Sequence, residues 1–165
     1  MKKIMIVGCA GSGKSTLAKQ LGNQKKIPVY HLDSIFWEPG WKPIEQNRFI
    51  DKQKEIMEEP AWIIDGNYGS TMSIRMKYAD TIIFLHYKTT RCLHRIIKRR
   101  IQYHGQTRPD MGEGCKEKLD WDFVHYVLMF NKNNAPTILD KLNSVKEKQI
   151  YIIKNPKQLK HFSLD

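Results

Sequence analysis

A chain of 165 residues with 41% hydrophobic residues is long enough to bury one core and too apolar for a disordered segment. Its 28 Lys and Arg against 17 Asp and Glu leave a formal charge of +11, which points to anionic partners: nucleic acid, an anionic membrane surface or polyphosphate ligands. No apolar run approaches the roughly 20 residues of a membrane span, and three separated cysteines (Cys9, Cys92, Cys115) suit free thiols in a reducing, cytoplasmic setting.

The opening MKKIMIV begins like a secretion signal. Its apolar run then breaks into Gly, Ser and Lys with no small-residue cleavage site, so residues 4–7 are read as a first strand. A helix over 15–21 follows, with Leu17, Ala18 and Leu21 on one face and Gly22 as its stop. Residues 28–32 read as a second strand. A helix over 44–58 turns Phe49, Ile50, Ile56 and Met57 inward and ends at Pro60. Residues 62–64, 81–85 and 150–153 are the third, fourth and fifth strands. Between the last two lie a basic helix over 89–103 with Cys92, Leu93, Ile96 and Ile97 as its apolar face, an apolar helix over 120–130, and a helix over 137–142 introduced by Pro136. The Gly-rich, polar stretch between Tyr103 and Lys118 reads as a loop, of the kind that closes over phosphate sites. Strands alternating with helices predict an α/β fold with a parallel sheet, in one domain over 1–165. An acceptor-side insertion would span about 33–60 and a lid about 100–118.

The motif with the most chemistry is GCAGSGKS at 8–15, which fits G-x-x-x-x-G-K-[ST] and sits between a strand and a helix. Gly8, Gly11 and Gly13 let backbone amides, with that of Ser12, converge on phosphate oxygens. The helix N-terminus at Ser15 and Thr16 adds free donors and a positive dipole end. Lys14 reaches the β- and γ-phosphates and the Ser15 hydroxyl suits Mg²⁺. The expected cofactors are ATP and Mg²⁺. No N-K-x-D-like guanine-reading motif is present, which argues against a GTPase.

Asp65 in WIIDG closes an apolar strand, where a second magnesium ligand is expected; a turn Asp before Gly is the plainer alternative. Asp33 in VYHLDS ends the second strand. It would orient or deprotonate an acceptor hydroxyl, bind the acceptor, or cap the helix that follows. Phe36, Trp37 and Trp41 in FWEPGW form either a hydrophobic plug or an aromatic wall for an acceptor ring. Residues 88–108 carry seven Lys or Arg and no acid. Arg91, Arg95 and Arg99 share one helical face, and Arg108 lies in the loop beyond. Such guanidiniums stabilise a transferring phosphoryl group; a nucleic-acid face is the alternative, with few interleaved aromatics to support it. Cys115 with His104 or His125 lacks zinc-site spacing, and His31, His86 and His94 are read as structural or surface residues.

The segments GCAGSGKST, HLDSIFWEPGW, WIIDGNYGS and ADTIIFLHYKTTRCLHRIIKRR resemble small P-loop nucleotide kinases related to adenylate kinases, and more narrowly the bacterial DNA topology modulation (FlaR-like) family. The resemblance implies a three-layer P-loop NTPase fold with a five-stranded parallel sheet ordered 2-3-1-4-5, a short lid, and Mg-ATP as donor. HRIIKRR (94–100) is similar to the segment leading into the adenylate kinase lid. That similarity implies Arg95 against the ATP base and phosphates, and Arg99 near the transferring group. TRPD (107–110) is similar to the lid arginine segment, implying a phosphate contact for Arg108. Adenylate kinases carry D-G-F-P-R where this chain reads DGNYG, with the next arginine at Arg75. The first expectation is therefore an ATP-dependent kinase of a small acceptor, a monomer or weak dimer with no membrane association. A regulator that binds DNA and uses ATP as a switch is the second, and an ATPase without acceptor the third.

Overall fold

The computed structural model describes residues 1–145, 147–160 and 162. Five parallel strands form the central sheet: β1 (Lys3–Gly8), β2 (Val29–His31), β5 (Trp62–Asp65), β6 (Thr81–Leu85) and β7 (Gln149–Ile153). Their spatial order is β2-β5-β1-β6-β7. The three middle strands are apolar at nearly every position, as a parallel sheet covered on both faces requires; β5 and β6 are buried throughout. Register pairs Ile6 with Asp65 and with Ile83, and His31 with Asp65. The carboxyl ends of β1, β2 and β5 therefore meet at one edge, where the loops of an α/β sheet form a crevice.

Helices α1 (Lys14–Lys25), α3 (Gln46–Glu58), α4 (Gly69–Tyr78), α5 (Thr89–Gln102), α6 (Trp121–Asn133) and α7 (Ala135–Ser144) pack on the sheet, and the short α8 (Pro156–Lys160) follows β7. Local chemistry explains several starts. Asp120 accepts the Phe123 amide at 2.9 Å to cap α6, and Glu45 accepts that of Asn47 at 3.2 Å to cap α3. Between β2 and α3 run a one-turn helix α2 (Leu32–Phe36) and a small antiparallel hairpin, β3 (Trp37–Glu38) with β4 (Lys42–Pro43). Among the described residues no helix is long and apolar enough to cross a membrane.

Four expectations need correction. Gly22 does not stop the first helix, which runs on to Lys25. Gly22 is buried in it because a Cβ there would meet Val29 Cγ2 at 2.3 Å, so it serves close packing of α1 on β2. Ile97 is not part of the apolar face of α5 but 43% exposed; Cys92 and Ile96 carry the burial. In α3 the inward row is Phe49, Gln53, Ile56 and Met57, with Ile50 half-buried. The apolar helix α6 leaves Trp121 84% exposed and buries only Val127 and Phe130 fully. Helix α4, α2 and the hairpin had no counterpart in the sequence reading.

Candidate active site

The loop between β1 and α1 wraps the carboxyl edge of the sheet. Gly11 (φ 80°) could not accept a side chain, since a Cβ would lie 2.5 Å from the Cys92 carbonyl of α5. Gly13 (φ 99°) begins α1 with no side-chain cap, so the first-turn amides stay aimed outward. Gly11, Gly13, Lys14, Ser15 and Thr16 line a cavity of about 890 Å³. Gly8 and Ser12 are buried and do not line it: the Gly8 amide is taken by Asn67 Oδ1 and the Ser12 amide by the Cys9 carbonyl at 3.0 Å, so the expected phosphate contacts of these two residues are not presented. Lys14 Nζ folds back to donate to the Cys9 carbonyl at 3.1 Å.

The strand-end carboxylates converge on this loop. Ser15 Oγ donates to Asp65 Oδ2 at 2.8 Å. Asp65 Oδ1 is in short contact with His31 Nδ1, so His31 lines the cavity as a partner of the strand-end carboxylate and not as a surface residue. Hydroxyl and carboxylate oxygens side by side are the donor set a hard cation such as Mg²⁺ takes. Asp33 does not cap α2, whose N-cap position is His31. It lines the cavity and accepts the Tyr68 hydroxyl at 2.7 Å. Burial, reinforced by the Asp33 charge, pushes the Tyr68 hydroxyl well above its ordinary range, so Tyr68 is a donor at any working pH.

Two residues that the sequence did not single out hold this floor together. Asn67 Oδ1 accepts the Gly8 amide at 3.0 Å, and its Nδ2 donates to the Gly8 carbonyl at 2.8 Å and to Tyr126 Oη at 3.1 Å. Arg75 is fully buried under the same turn and donates to the carbonyls of Gly66 (2.9 Å), Asn67 and Tyr68 (3.1 Å). Those bonds anchor Tyr68 in a left-handed conformation (φ 32°) that a tyrosine adopts only under constraint. Burial pushes the Arg75 guanidinium down to about 9, opposed by Tyr68 and Asp65, which leaves it a cation at neutral pH.

The basic helix faces the loop and the lid. Arg95 Nη1 donates to the Ser12 carbonyl at 2.9 Å. Arg99 Nε donates to Glu117 Oε1 at 2.8 Å. Arg108 Nε stands 2.6 Å from Glu117 Oε2 as an ion pair angled off hydrogen-bond alignment, and its Nη1 donates to Asp110 Oδ2 at 3.0 Å. Glu117, with 3% of its side chain exposed, thus bridges two arginines. Burial works to raise the Asp110 carboxyl, but the Arg108 charge and the Ser15 hydroxyl outweigh it and hold the group below its ordinary range. Arg91 lies apart, on a second cavity of about 510 Å³ with Tyr87, Arg95, Pro156 and Leu159.

Residues 114–118 dock on the β3–β4 hairpin. Trp41 Nε1 donates to the Lys116 carbonyl at 2.9 Å, the Gly40 amide to the Gly114 carbonyl at 3.3 Å, and Lys118 Nζ lies 4.9 Å from the Trp41 ring centroid. Trp37 and Trp41 line the cavity with their rings 5.5 Å apart, whereas Phe36 packs edge-on against Phe49 beneath. Of the remaining histidines, His86 is stacked on Phe84 and His94 is exposed.

No protein-family model matches the chain, and no curated protein matches it. Among solved structures it is similar to shikimate kinase from Bacteroides thetaiotaomicron, with a TM-score of 0.52 and 18% identity over 90% of this chain and 84% of that one. It is also similar to shikimate kinase from Acinetobacter baumannii in complex with shikimate, with a TM-score of 0.59 and 15% identity over 94% of this chain and 84% of that one. The likeness is one of fold: an α/β architecture with helices about a parallel sheet.

Proposed function

We propose that the chain is a Mg-ATP-dependent phosphotransferase that acts on a small acceptor. The observation that carries this reading is the joining, in one cavity, of a complete phosphate loop, the Ser15–Asp65 pair, Asp33 and the arginines of α5 and the lid. Backbone amides of residues 11 and 13–16 and the Lys14 side chain would hold the donor's phosphates, Lys14 turning from the Cys9 carbonyl onto the β- and γ-phosphates. Ser15 and Asp65 would hold Mg²⁺, which supplies charge neutralisation along the phosphates when bound. Arg95, Arg99 and Arg108 would meet the charge that develops on the transferring group. Asp33 would orient and deprotonate the acceptor hydroxyl. The donor's base would lie against Arg95, in the cavity beside Pro156.

The position of the arginines favours this reading over a nucleic-acid regulator, because Arg95 contacts the phosphate loop and Arg99 and Arg108 belong to the lid network. The topology-modulation resemblance rests on the same quoted segments, and duplex-DNA binding with a steep salt slope is the measurement that would favour it. We further propose one domain with its acceptor insertion and lid, working in the cytoplasm. Replacing Lys14 by Met should lower ATP turnover at least about hundredfold while the circular dichroism stays unchanged. Turnover equal to that of the parent would refute the assignment.

A further inference from the structure

Glu117 is an acid buried among cations. Its side chain is 3% exposed and lines the cavity with Arg99 and Arg108. Its own amide donates to the Gln106 carbonyl at 2.9 Å, which fixes its place in the loop between α5 and α6. Each carboxylate oxygen meets the Nε edge of one arginine. Oε1 accepts Arg99 Nε at 2.8 Å, and Oε2 stands 2.6 Å from Arg108 Nε. Arg99 Nη1 and Nη2 have no protein acceptor among the described residues.

Stability alone is a poor reason for this arrangement. A buried ion bridge is no more stable than apolar side chains of its size, because desolvation consumes the Coulombic gain. What the bridge does set is position. Two guanidiniums side by side repel. Burial and then the Arg108 charge pull the Arg99 pKa down, and Glu117 works against both. Asp110 is a different kind of partner. It is 15% exposed, and of the two arginines it pairs only with Arg108, through Nη1.

We propose that Glu117 is a positioning residue of the donor site: by gripping both Nε edges it sets Arg99 and Arg108 as a fixed two-guanidinium fork for the terminal phosphate of a nucleoside triphosphate. Guanidinium N–H groups held in place bind phosphate oxygens without reorganising. A nucleoside diphosphate lacks the phosphate that this fork meets. Selection of a triphosphate over a diphosphate therefore falls to a residue that acts only through its two arginines. This inference rests on the nucleotide site of the phosphotransferase reading and goes beyond it.

The test measures, by calorimetry on the whole protein with Mg²⁺, the binding of ADP and of the β,γ-imido analogue of ATP. The parent, Glu117→Gln, Arg99→Met and the double variant are compared, and circular dichroism checks each fold. The parent should bind the triphosphate analogue at least about tenfold more tightly than ADP. Glu117→Gln keeps the length but turns an amide NH₂ toward one of the arginines, and should bring that ratio to within about threefold of unity. Arg99→Met should do the same, and the double variant should go no further, because both changes disable one device. If Glu117→Gln does not fold, Glu117→Asp, one methylene too short to reach both Nε atoms, is measured in its place with the same expectation. A ratio that survives the change at Glu117 overturns the proposal, even where both affinities fall together, since that result describes a strut. A parent that binds both ligands equally, or a double variant whose losses add, overturns it too. These outcomes leave the phosphotransferase reading to be judged by ATP turnover in Lys14→Met. Binding of neither ligand to the folded parent overturns both.

Discussion

Replacing Arg75 by Met removes the guanidinium and keeps much of the aliphatic stem. Two carbonyls then lose their donor, Gly66, which is buried, and Asn67, which is half-buried, while that of Tyr68, also half-buried, keeps the Thr71 amide at 3.1 Å. A buried carbonyl left unpaired costs about 1–3 kcal/mol. The half-buried group regains part of this from water, and removal of a fully desolvated cation offsets more. We expect a net loss of about 2 kcal/mol, roughly one for each orphaned carbonyl, which lowers Tm by about 4–8 °C in a chain of this size. Urea unfolding followed by circular dichroism measures it, with an unchanged m-value showing that the change is one of stability. Arg75→Lys keeps the charge but cannot span three carbonyls, so it should restore less than half of the loss. A loss below about 1 kcal/mol, or full restoration by lysine, would refute the clamp. A variant of parental stability with a selectively raised acceptor KM would make Arg75 an anchor for an anionic acceptor instead.

Glu117→Gln leaves Arg99 and Arg108 facing each other with only Asp110 as counter-charge; we expect tryptic cleavage after Lys116 to rise about tenfold or more as the lid opens, read on gels under native conditions. Trp41→Ala removes both the bond to Lys116 and the ring under Lys118, and should raise acceptor KM several-fold more than ATP KM in steady-state assays. His86 is held below its ordinary pKa, first by burial and then by Lys154. The unfolded chain therefore binds the proton more readily, so the His86 contribution to stability is complete above about 6.5 and is lost as pH falls through the folded value. Tm should decline from pH 7.5 to 5.5, and His86→Phe should flatten that slope.

What was legible in the sequence was what is local in the chain. The glycine-rich loop is written in eight consecutive residues, and the middle strands β1, β5 and β6 are apolar runs whose burial on both faces leaves no ambiguity of period. Asn67, Arg75 and Glu117 were missed for the opposite reason. Asn67 acts on Gly8, 59 residues away. Glu117 matters only because the lid brings it between Arg99 and Arg108, and nothing in its own neighbourhood marks it. Arg75 was visible as the first arginine after DGNYG, but its aim at backbone carbonyls, away from the cavity, is a property of the folded turn. The helix α4 was hidden by a start of Gly, Ser and Thr, residues of weak helical preference, and forms because packing buries Thr71, Met72, Arg75 and Met76.

The paired hydrogen bonds between the Asn67 side chain and the Gly8 backbone splice two neighbouring strand ends together. The floor under the donor's phosphates and the turn carrying Tyr68 therefore behave as one stiff plate, while the lid and the Trp41 hairpin are tied to each other across the top. A change at Asn67 would therefore be felt at Gly8 and at the Tyr68 turn together, as a loosening of the whole plate and not of one loop.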